Sequence, residues 1–453
     1  MTRKQHIRNI LIILAVALVG GTWYMFTPNK AQLDIAKLQG IDPNLSKLKV
    51  EGFPSVAIAD VKGWAKGTAP TPAAGMGVTE FAGDLDHPRW LYTLPNGDIL
   101  VAESTQPSRE TEGFQDWVAR NLIMKANAST VSANRISLLR DANGDGVAEM
   151  KTALLEGLNS PFGMALIGGE LFVANTDSVM AFPFTPGDTK ITAKGRKIMD
   201  LPSGVPNNHW TRNLAYDPKE NMLYVTIGSN SNIGENGMES EKDRAQIKQY
   251  NLKTGETLLY AYGLRNPTGL AFNPISETLW TTVNERDMLG PDGPPDYLTT
   301  VDFGTFYGWP YYFWGQNEDG RVKQTRMDLK QYSKRPDYAL GPHVAALGLA
   351  FSRDAALGAS YANGAFVAMH GSWNRSPKSG YKVVYIPFNE RGFPVRGAKP
   401  VPVLTGFLSK NEDVAYGRPA GLAMDKGGAL LVADDSGNKV WRVSAKGGSK
   451  PIL

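Results

Sequence analysis

Short apolar stretches alternate with polar turns along most of this chain, and one such unit recurs six times. Each copy has an apolar stretch, a Pro/Asn/Gly/Asp turn and a second apolar stretch, a pattern typical of antiparallel strand pairs. Because one hairpin cannot bury its own apolar face, six related copies predict radial stacking into an all-β six-bladed propeller. The alternative, a β-sandwich with a second β domain, is disfavoured because all six copies share the same order of apolar stretches and turns. The copies are PRWLYTLPNGDILVAES (88–104), SPFGMALIGGELFVANTDS (160–178), TRNLAYDPKENMLYVTIGS (211–229), NPTGLAFNPISETLWTTVN (266–284), LGLAFSRDAALGASYANGAFVAMHG (347–371) and GRPAGLAMDKGGALLVADDSG (417–437).

The N-terminus follows a different pattern, in which basic residues precede one continuous apolar run. Arg3, Lys4 and Arg8 stand before the run from Ile10 to Phe26, which as a helix would reach about 25 Å. We interpret residues 1–28 as a retained transmembrane anchor, with a cleaved signal segment as the alternative. The basic flank predicts an N-terminus in the cytoplasm and a catalytic domain on the periplasmic side of the inner membrane. Residues 29–80 are then a stalk and entry segment, and residues 81–453 the propeller domain.

Composition narrows the chemistry further. The chain has 453 residues, a net charge of +4 and no long run of Lys or Arg, which argues against nucleic acid as a partner. It has no cysteine, which excludes disulfides, thiol nucleophiles, Fe–S clusters and covalent haem. Fingerprints for dinucleotide, ATP, serine-hydrolase and HExxH zinc chemistry are also missing from the sequence.

Polar residues stand just before several of the apolar stretches, and in a propeller these positions meet at one mouth of the central channel. His209, in the run NNHWTRN (207–213), can act as a base because histidine titrates near neutrality. Arg265, in GLRNPTG (263–269), can stabilise a developing oxyanion. With Arg212, Arg375 and Arg418 it would make a cationic mouth suited to an anionic ligand. For each residue alone a structural role stays open: a loop-capping histidine, or arginines in salt bridges between blades.

Two acidic loops are candidates for calcium. Residues 284–297 combine Glu285, Asp287 and Asp296 with Gly and Pro, which offers carboxylate and free carbonyl oxygens. Asp141, Asn143 and Asp145 resemble the start of a calcium loop, although position 12 is Thr152 rather than Glu, so that Glu149 would have to close the site. A solvated acidic loop and an ordinary Asx turn are the respective alternatives.

Several of these motifs together resemble the L-sorbosone dehydrogenase group of pyrroloquinoline quinone (PQQ) propellers and, more distantly, soluble quinoprotein glucose and aldose sugar dehydrogenases. The resemblance runs from about residue 81 to the C-terminus, through HWTRNL, YGLRNPTGLAFNP, VNERD…PDYLT, FYGWPYYFWG, HGSWNRSPKSGYKVV and GRPAGLAMDKGGALLVADDSGNKVWRVS. It implies that His209 is the catalytic base and that Arg265 steadies the quinone oxygen that gains charge. It further implies that Asn266 lies against the cofactor, that Arg375 and Arg418 hold its carboxylates, and that calcium bridges it to the loop Glu285–Asp296, partly through backbone carbonyls.

The sequence therefore predicts PQQ- and Ca²⁺-dependent oxidation of an aldose or aldehydic sugar, with an electron acceptor of the respiratory chain as a further partner. Two alternatives stay open at this point. One is a calcium-dependent propeller that hydrolyses sugar lactones, which would need several carboxylates in the channel. The other is a propeller that binds a ligand without catalysis. The resemblance also departs from the glucose-type enzymes where Trp210 and Thr211 follow the base, since small residues follow it there.

Overall fold

The structure, a computed structural model, describes residues 3–25, 30–52, 56–107, 131–323, 326–352 and 356–446. One long helix, Arg3–Met25, precedes the sheets. Its segment Arg3–Trp23 has a mean hydropathy of 1.5 and is not buried against the rest of the chain. At about 1.5 Å per residue the helix is long enough to cross a bilayer, which is compatible with a membrane anchor and with a signal sequence. Residues 1, 2 and 26–28 of the predicted anchor, Phe26 among them, lie outside the described residues.

Six antiparallel sheets confirm the predicted six-bladed all-β propeller. In each blade the first strand lines the central channel and the next strands follow outward. The strands are, for blade 1, Pro88–Thr93, Ile99–Glu103, Arg135–Arg140 and Met150–Leu155; for blade 2, Met164–Ile167, Glu170–Ala174, Ser178–Pro183 and Arg196–Asp200; for blade 3, Leu214–Asp217, Met222–Ile227, Gln246–Asn251 and Thr257–Tyr262; for blade 4, Asn266–Phe272, Leu279–Asn284, Pro295–Thr300 and Tyr338–Pro342; for blade 5, Ala346–Phe351, Gly364–Met369, Lys382–Pro387 and Val401–Thr405; and for blade 6, Pro419–Met424, Leu430–Asp434, Lys439–Ala445 and Met76–Ala82.

Minor elements decorate the blades. Thr305–Phe306 adds a short parallel strand to blade 3, and Thr71–Pro72 adds an edge strand to blade 5. Two small pairs lie outside the blades, Asp60–Val61 with Val414–Ala415 and Tyr312–Phe313 with Asn317–Glu318. Short 3₁₀ helices span Ile35–Leu38, Met238–Glu241, Met327–Tyr332 and Ala359–Tyr361.

The ring is closed by its own N-terminal strand. Met76–Ala82 pairs antiparallel with Lys439–Ala445 and so becomes the outer strand of the last blade. Chain ends far apart in sequence are thereby joined in one sheet, which leaves no open gap between blades. The propeller therefore begins before residue 81, inside the segment that the sequence predicted to be a stalk.

The core is a set of apolar layers between neighbouring blades rather than one central cluster. Adjacent residues of one strand face opposite neighbours: Leu100 packs toward blade 2, whereas Val101 packs toward blade 6. The six clusters found in the described residues correspond to the six blade interfaces. Strands buried on both faces explain why the repeats read as continuous apolar runs instead of alternating ones.

A glycine repeated in the inner strands brings neighbouring blades together at the channel. A Cβ on Gly348 would lie 2.4 Å from the Ala420 carbonyl oxygen, and one on Gly421 would lie 2.7 Å from the Arg89 carbonyl oxygen. Both glycines occupy the same position of the repeated Gly-Leu-Ala motif. Any side chain there would push the inner strands apart, so this motif sets the width of the channel.

Candidate functional site

His209 stands at the channel mouth, just before the inner strand of blade 3. Its Nδ1 lies 2.9 Å from both the carbonyl oxygen and the Oγ of Ser229. The Ser229 hydroxyl donates its own proton to the Ser231 carbonyl oxygen. Because a carbonyl oxygen can only accept, Nδ1 carries the ring proton and Nε2 keeps its lone pair. Within the described part of the chain Nε2 makes no hydrogen bond, so it is available to accept a proton.

The environment keeps this imidazole neutral. Burial lowers the pKa of His209 well below its usual value, and the positive charge of Arg265 lowers it further. The ring is nevertheless partly exposed at the mouth, so a ligand can reach it. A neutral, oriented imidazole with a free Nε2 meets the requirements of a general base.

Arg265 is bound into the mouth loops of blades 3 and 4. Its Nε and Nη2 donate to the carbonyl oxygen (3.0 Å) and Oδ1 (2.9 Å) of Asn232, and its Nη1 donates to the Glu285 carbonyl oxygen at 2.8 Å. Nη2 also lies 3.6 Å from an oxygen of Asp287. The guanidinium therefore brings a fixed positive charge to the mouth and at the same time connects two loops.

Asn266 lies beside His209 and Arg265, and the hydrogen bonding of its side-chain oxygen is incomplete in the described part of the chain. Its Oδ1 is buried and has no hydrogen-bond partner among the residues that the structure describes. A Cβ on Gly228 would lie 2.6 Å from this oxygen and 2.5 Å from the Cβ of His209, so only glycine fits between them. Since a buried acceptor without a partner costs free energy, this oxygen is suited to a donor on a bound ligand.

A second polar cluster, the Asp435 cluster, lies at the same mouth where blades 5, 6 and 1 meet; it comprises Asp435, His87, Arg89, His370 and Arg418. The fully buried carboxylate accepts hydrogen bonds from Arg89 Nη1 and His370 Nε2 (2.8 Å) and lies 3.6 Å from His87 Nε2. Burial lowers the pKa of His87 to about 4 and that of His370 to about 3. Arg418 donates to the carbonyl oxygens of His370 and Gly371. At neutral pH both histidines are uncharged, so the two arginines and one carboxylate give these five residues a net positive charge.

Arg89 reaches from this cluster across the mouth toward His209. Its guanidinium carbon lies 5.7 Å from the centroid of the Trp210 ring, next to the candidate base. In the described part of the chain Arg89 makes one hydrogen bond, to Asp435, and its Nε is buried without a partner. Of the arginines at the mouth, it has the most donor capacity left for a ligand.

Two of the predicted cofactor arginines are committed to loop carbonyls instead. Arg212 is fully buried and donates to the carbonyl oxygens of His209 (2.7 Å) and Pro202 (2.7 Å). Arg375 donates to the carbonyl oxygens of Pro291 (2.8 Å) and Pro377 (2.7 Å). Both guanidinium groups thus support the backbone of mouth loops, and of their nitrogens Arg212 Nε is buried without a partner among the described residues.

The acidic loop 284–297 lies at the mouth, and most of its carboxylate oxygens have partners, although Glu285 Oε1 and Asp292 Oδ1 are buried without a hydrogen bond among the described residues. Both oxygens of Asp296 accept backbone N–H groups, from Glu285 and Ala345, and burial raises the pKa of Asp296 to about 7. Glu285 binds Arg286 through Oε2 at 2.9 Å. Asp287 accepts from Asn374, and its pKa falls to about 2 because the contacts with His343 and Arg265 outweigh its burial. In the described residues these three carboxylates do not form a convergent group, so a calcium ion at this loop would depend on backbone carbonyl oxygens, which the sequence predicted as part of the site.

Carboxylates do converge in the other predicted loop. Ligand oxygens of Asp141, Asp145 and Glu149 lie within 4.8 Å of one another. Asn143 is drawn in by Nδ2 hydrogen bonds to Glu149 (2.6 Å) and Asp145 (3.1 Å). Asp141 also accepts backbone N–H groups from Gly144 and Gly146, as an Asx turn would. The geometry is therefore compatible with calcium and with a simple turn. The loop joins the two outer strands of blade 1 at the end of the propeller opposite His209.

Comparison with known proteins assigns the chain to a family. The sequence matches the TrAA12-like family over residues 70–294 and 313–446. The chain belongs to the TrAA12-like family. A Borreliella burgdorferi relative of uncharacterised function is 31% identical over 295 residues, which are 63% of this chain and 76% of the relative. The family match over residues 70–294 and 313–446 therefore includes all six blades of the propeller.

Several relatives of this TrAA12-like protein carry the name of a sugar dehydrogenase. The PQQ-dependent pyranose dehydrogenase of Coprinopsis cinerea is 25% identical over 345 residues, 63% of this chain but only 46% of the enzyme's own length. Among solved structures, the iodide structure of Trichoderma reesei Carbohydrate-Active Enzymes Family AA12 superposes with a TM-score of 0.67 at 19% identity, covering 83% of this chain and 98% of that one. At that identity the structural likeness shows the fold alone.

Sequence reasoning missed the partners that orient the predicted residues. Ser229 orients the His209 ring, Asn232 holds the Arg265 guanidinium, and Asp435 contacts Arg89, His370 and His87. Ser229 and Asp435 each follow the second strand of a blade, where such strands end at the mouth. The position just after the second strand lies at the mouth, as does the position just before the inner strand. A polar residue just after the second strand is therefore the sequence signal that would have identified Ser229 and Asp435.

Proposed function

We propose that this TrAA12-like propeller is a PQQ-dependent dehydrogenase that oxidises an aldose or aldehydic sugar, of the L-sorbosone type. The neutral His209, oriented by Ser229 and with Nε2 unprotonated at a cationic mouth, is the observation that carries the proposal. The named relative, a PQQ-dependent pyranose dehydrogenase, supports the cofactor and the substrate class.

In this proposal His209 Nε2 takes the proton of the substrate hydroxyl while the neighbouring carbon loses hydride. Nδ1 stays bonded to Ser229, so the imidazolium that forms is held in the same orientation. PQQ, when bound, supplies the quinone that accepts the hydride. Arg265 contributes a fixed charge beside the developing anion, because its fork is already held by Asn232 and Glu285.

The residues of the mouth fit a polycarboxylate quinone. Arg89 has unused donors next to Trp210, and Arg418 adds a second positive charge in the Asp435 cluster. Asn266 offers a buried amide oxygen that lacks a partner in the described residues. Cationic donors and an aromatic face are the groups that would hold carboxylates and a flat ring system.

Calcium is a separate part of the proposal. Loop 284–297 does not fit a carboxylate site, so no catalytic step is assigned to a calcium ion there. A structural calcium at Asp141, Asp145 and Glu149 stays a proposal that rests on their convergent oxygens.

The lactone hydrolase is the weaker candidate. Such an enzyme needs several carboxylates on one metal in the channel. At the mouth Asp287, Asp296 and Asp435 are each satisfied by N–H donors, and arginines outnumber the uncommitted acids. We further propose that the helix Arg3–Met25 anchors the protein in the inner membrane with the propeller on the periplasmic side and an acceptor of the respiratory chain as its electron partner.

Reconstitution tests the oxidation. Purified protein would be titrated with PQQ, with and without Ca²⁺, and then assayed with a redox dye over a panel of aldoses, sugar lactones and aldehydic sugars. We expect saturable PQQ binding and sugar-dependent dye reduction. Binding without reduction of dye by any sugar would favour the non-catalytic alternative, and lactone hydrolysis without PQQ would overturn the proposal.

A further inference from the structure

The segment between the helix and the propeller lies on the channel mouth. We call residues 30–52 the strap. Ala31 donates its backbone N–H to the Ser376 carbonyl oxygen at 2.8 Å, and Gln32 donates to an Asp292 oxygen at 2.8 Å. Ser376 belongs to the loop that follows the second strand of blade 5, and Asp292 belongs to the mouth loop of blade 4. The strap therefore joins the propeller at the end where His209 and Arg265 lie.

The C-terminal part of the strap also contacts the mouth end of the propeller. Lys49 donates its backbone N–H to the Leu289 carbonyl oxygen at 2.9 Å, again in the blade 4 mouth loop. Between these contacts Leu38 is buried, and Gln39 binds the Leu340 carbonyl oxygen beside the outer strand of blade 4. Contacts at both ends and in the middle fix the strap to the propeller body.

From these contacts we infer that the channel mouth faces the membrane surface in which the helix Arg3–Met25 is anchored. The inference rests on the proposed membrane anchor. Met25 ends the helix, and Lys30 is already paired with Ser376 at the mouth. Five residues span at most about 18 Å even when fully extended. The mouth can therefore lie no farther than that from the outer end of the helix.

The size of the propeller makes the opposite orientation difficult. The inner strand Asn266–Phe272 has seven residues and is about 23 Å long at roughly 3.3 Å per residue. If the far end of the propeller faced the bilayer, Lys30 would stand at least that distance from the membrane. The chain between Met25 and Lys30 is too short to cover it.

The exposed residues near the strap suit a lipid headgroup region. Val50 is 56% exposed and Trp373 is 36% exposed on the mouth side, and Lys47 and Lys49 are exposed beside them. Tryptophan favours the membrane interface, and lysine can lay its aliphatic stem along it while the charge stays in water. An acceptor dissolved in the bilayer would then lie on the same side as the candidate site.

Fluorescence quenching tests the orientation, and the chain offers a clean background because it has no cysteine. Val50→Cys places a dye on the mouth side, and Ile275→Cys, 49% exposed in the turn between the first two strands of blade 4, places the matched dye at the far end. Full-length protein would be reconstituted into phosphatidylcholine vesicles with and without a headgroup-level quencher lipid. We expect several-fold stronger quenching at position 50 than at position 275.

Three results would overturn the inference: equal quenching at the two positions, stronger quenching at position 275, or no quenching at either. The last of these would also follow if the helix were removed as a signal sequence, which mass spectrometry of the mature chain would reveal. Because the readout does not depend on turnover, a failure of the proposed sugar oxidation would leave this result unaffected.

Discussion

Two clusters at the same mouth differ in how completely their polar groups are satisfied. On the blade 3 and 4 side, His209 has a free Nε2 and Asn266 has a buried oxygen without a partner. On the blade 5, 6 and 1 side, Asp435 is surrounded by Arg89, His370 and His87. Native structures rarely leave buried polar atoms unsatisfied unless a ligand completes them. Among the described residues the first cluster thus leaves two acceptors open, His209 Nε2 and Asn266 Oδ1, whereas the second leaves a donor open, Arg89 Nε. We therefore assign the proposed base chemistry to the first cluster, and blade contacts and positive charge to the second.

Replacing the candidate base tests this division most strongly. His209→Gln should lower kcat by ~10²–10⁴-fold, because base catalysis contributes that much. Turnover per PQQ-loaded protein is the measurement, and PQQ affinity should change little. The matched control, His370→Gln in the Asp435 cluster, should leave turnover per loaded protein within a few-fold of wild type. If both variants lost turnover equally, the division between the clusters would be wrong.

Acid should unfold the protein through the second cluster. The pKa values of His87 and His370 fall to about 4 and 3 in the folded chain, below the unfolded value of about 6.5. The unfolded chain then binds more protons, so stability is full above pH 6.5 and is lost as the pH falls toward 4. Between pH 7 and 4 these two histidines together should lower the free energy of unfolding by on the order of 6 kcal/mol, measured in urea as the difference between wild type and a variant that lacks both. The double variant His87→Gln/His370→Gln should have a flatter profile, and an unchanged slope would contradict this assignment.

Arg265 should have two separable effects, because it both carries charge and connects loops. Arg265→Ala should lower kcat by roughly 10²-fold, by analogy with lost oxyanion donors, and should also lower the melting temperature. Arg265→Lys keeps the charge but cannot form the fork to Asn232 and Glu285. It should recover part of kcat and little of the thermal stability. In the double variant with His209→Gln the kinetic losses should not add if both residues act in one transition state.

Cofactor affinity should depend on Arg89 more than on Arg375. Arg89→Ala should weaken PQQ binding roughly 10- to 100-fold, the effect of losing a charge-assisted hydrogen bond. Arg375→Ala should instead lower the melting temperature, because its donors hold the Pro291 and Pro377 carbonyls. Equilibrium titration with PQQ and thermal scans of both variants would separate these roles. The reverse ranking would return Arg375 to the cofactor site that the sequence predicted for it.

Calcium at the blade 1 loop should have the smallest effect. For a dissociation constant of 10⁻⁴–10⁻³ M, 1 mM Ca²⁺ stabilises the folded chain by about 0.4–1.4 kcal/mol. Wild type should therefore melt at a slightly higher temperature with Ca²⁺ than with a chelator. Asp141→Asn should remove that difference and leave sugar oxidation intact. A calcium effect that persists in the variant would place the ion elsewhere.

The sequence alone predicted the six blades, which the structure confirms, and proposed a site at one mouth with His209 and Arg265 as candidate residues. Repeated strand pairs reveal a propeller because strands buried on both faces must be apolar throughout, and that pattern is local. Residues just before each inner strand must meet at one mouth once the ring closes. These conclusions need no knowledge of which blade touches which.

Only the tertiary structure decided which polar side chains are held by hydrogen bonds within the protein and which have donors or acceptors left for a ligand. Arg212 and Arg265 both stand before inner strands and both donate to loop carbonyl oxygens, yet Arg265 also lies 3.6 Å from a carboxylate oxygen of Asp287. Likewise Asp296 and Asp141 both accept backbone N–H groups, yet Asp141 also converges with Asp145 and Glu149. Hydrogen-bond partners come from residues distant in sequence, and the desolvation of a side chain depends on how neighbouring blades pack. No local pattern contains that information.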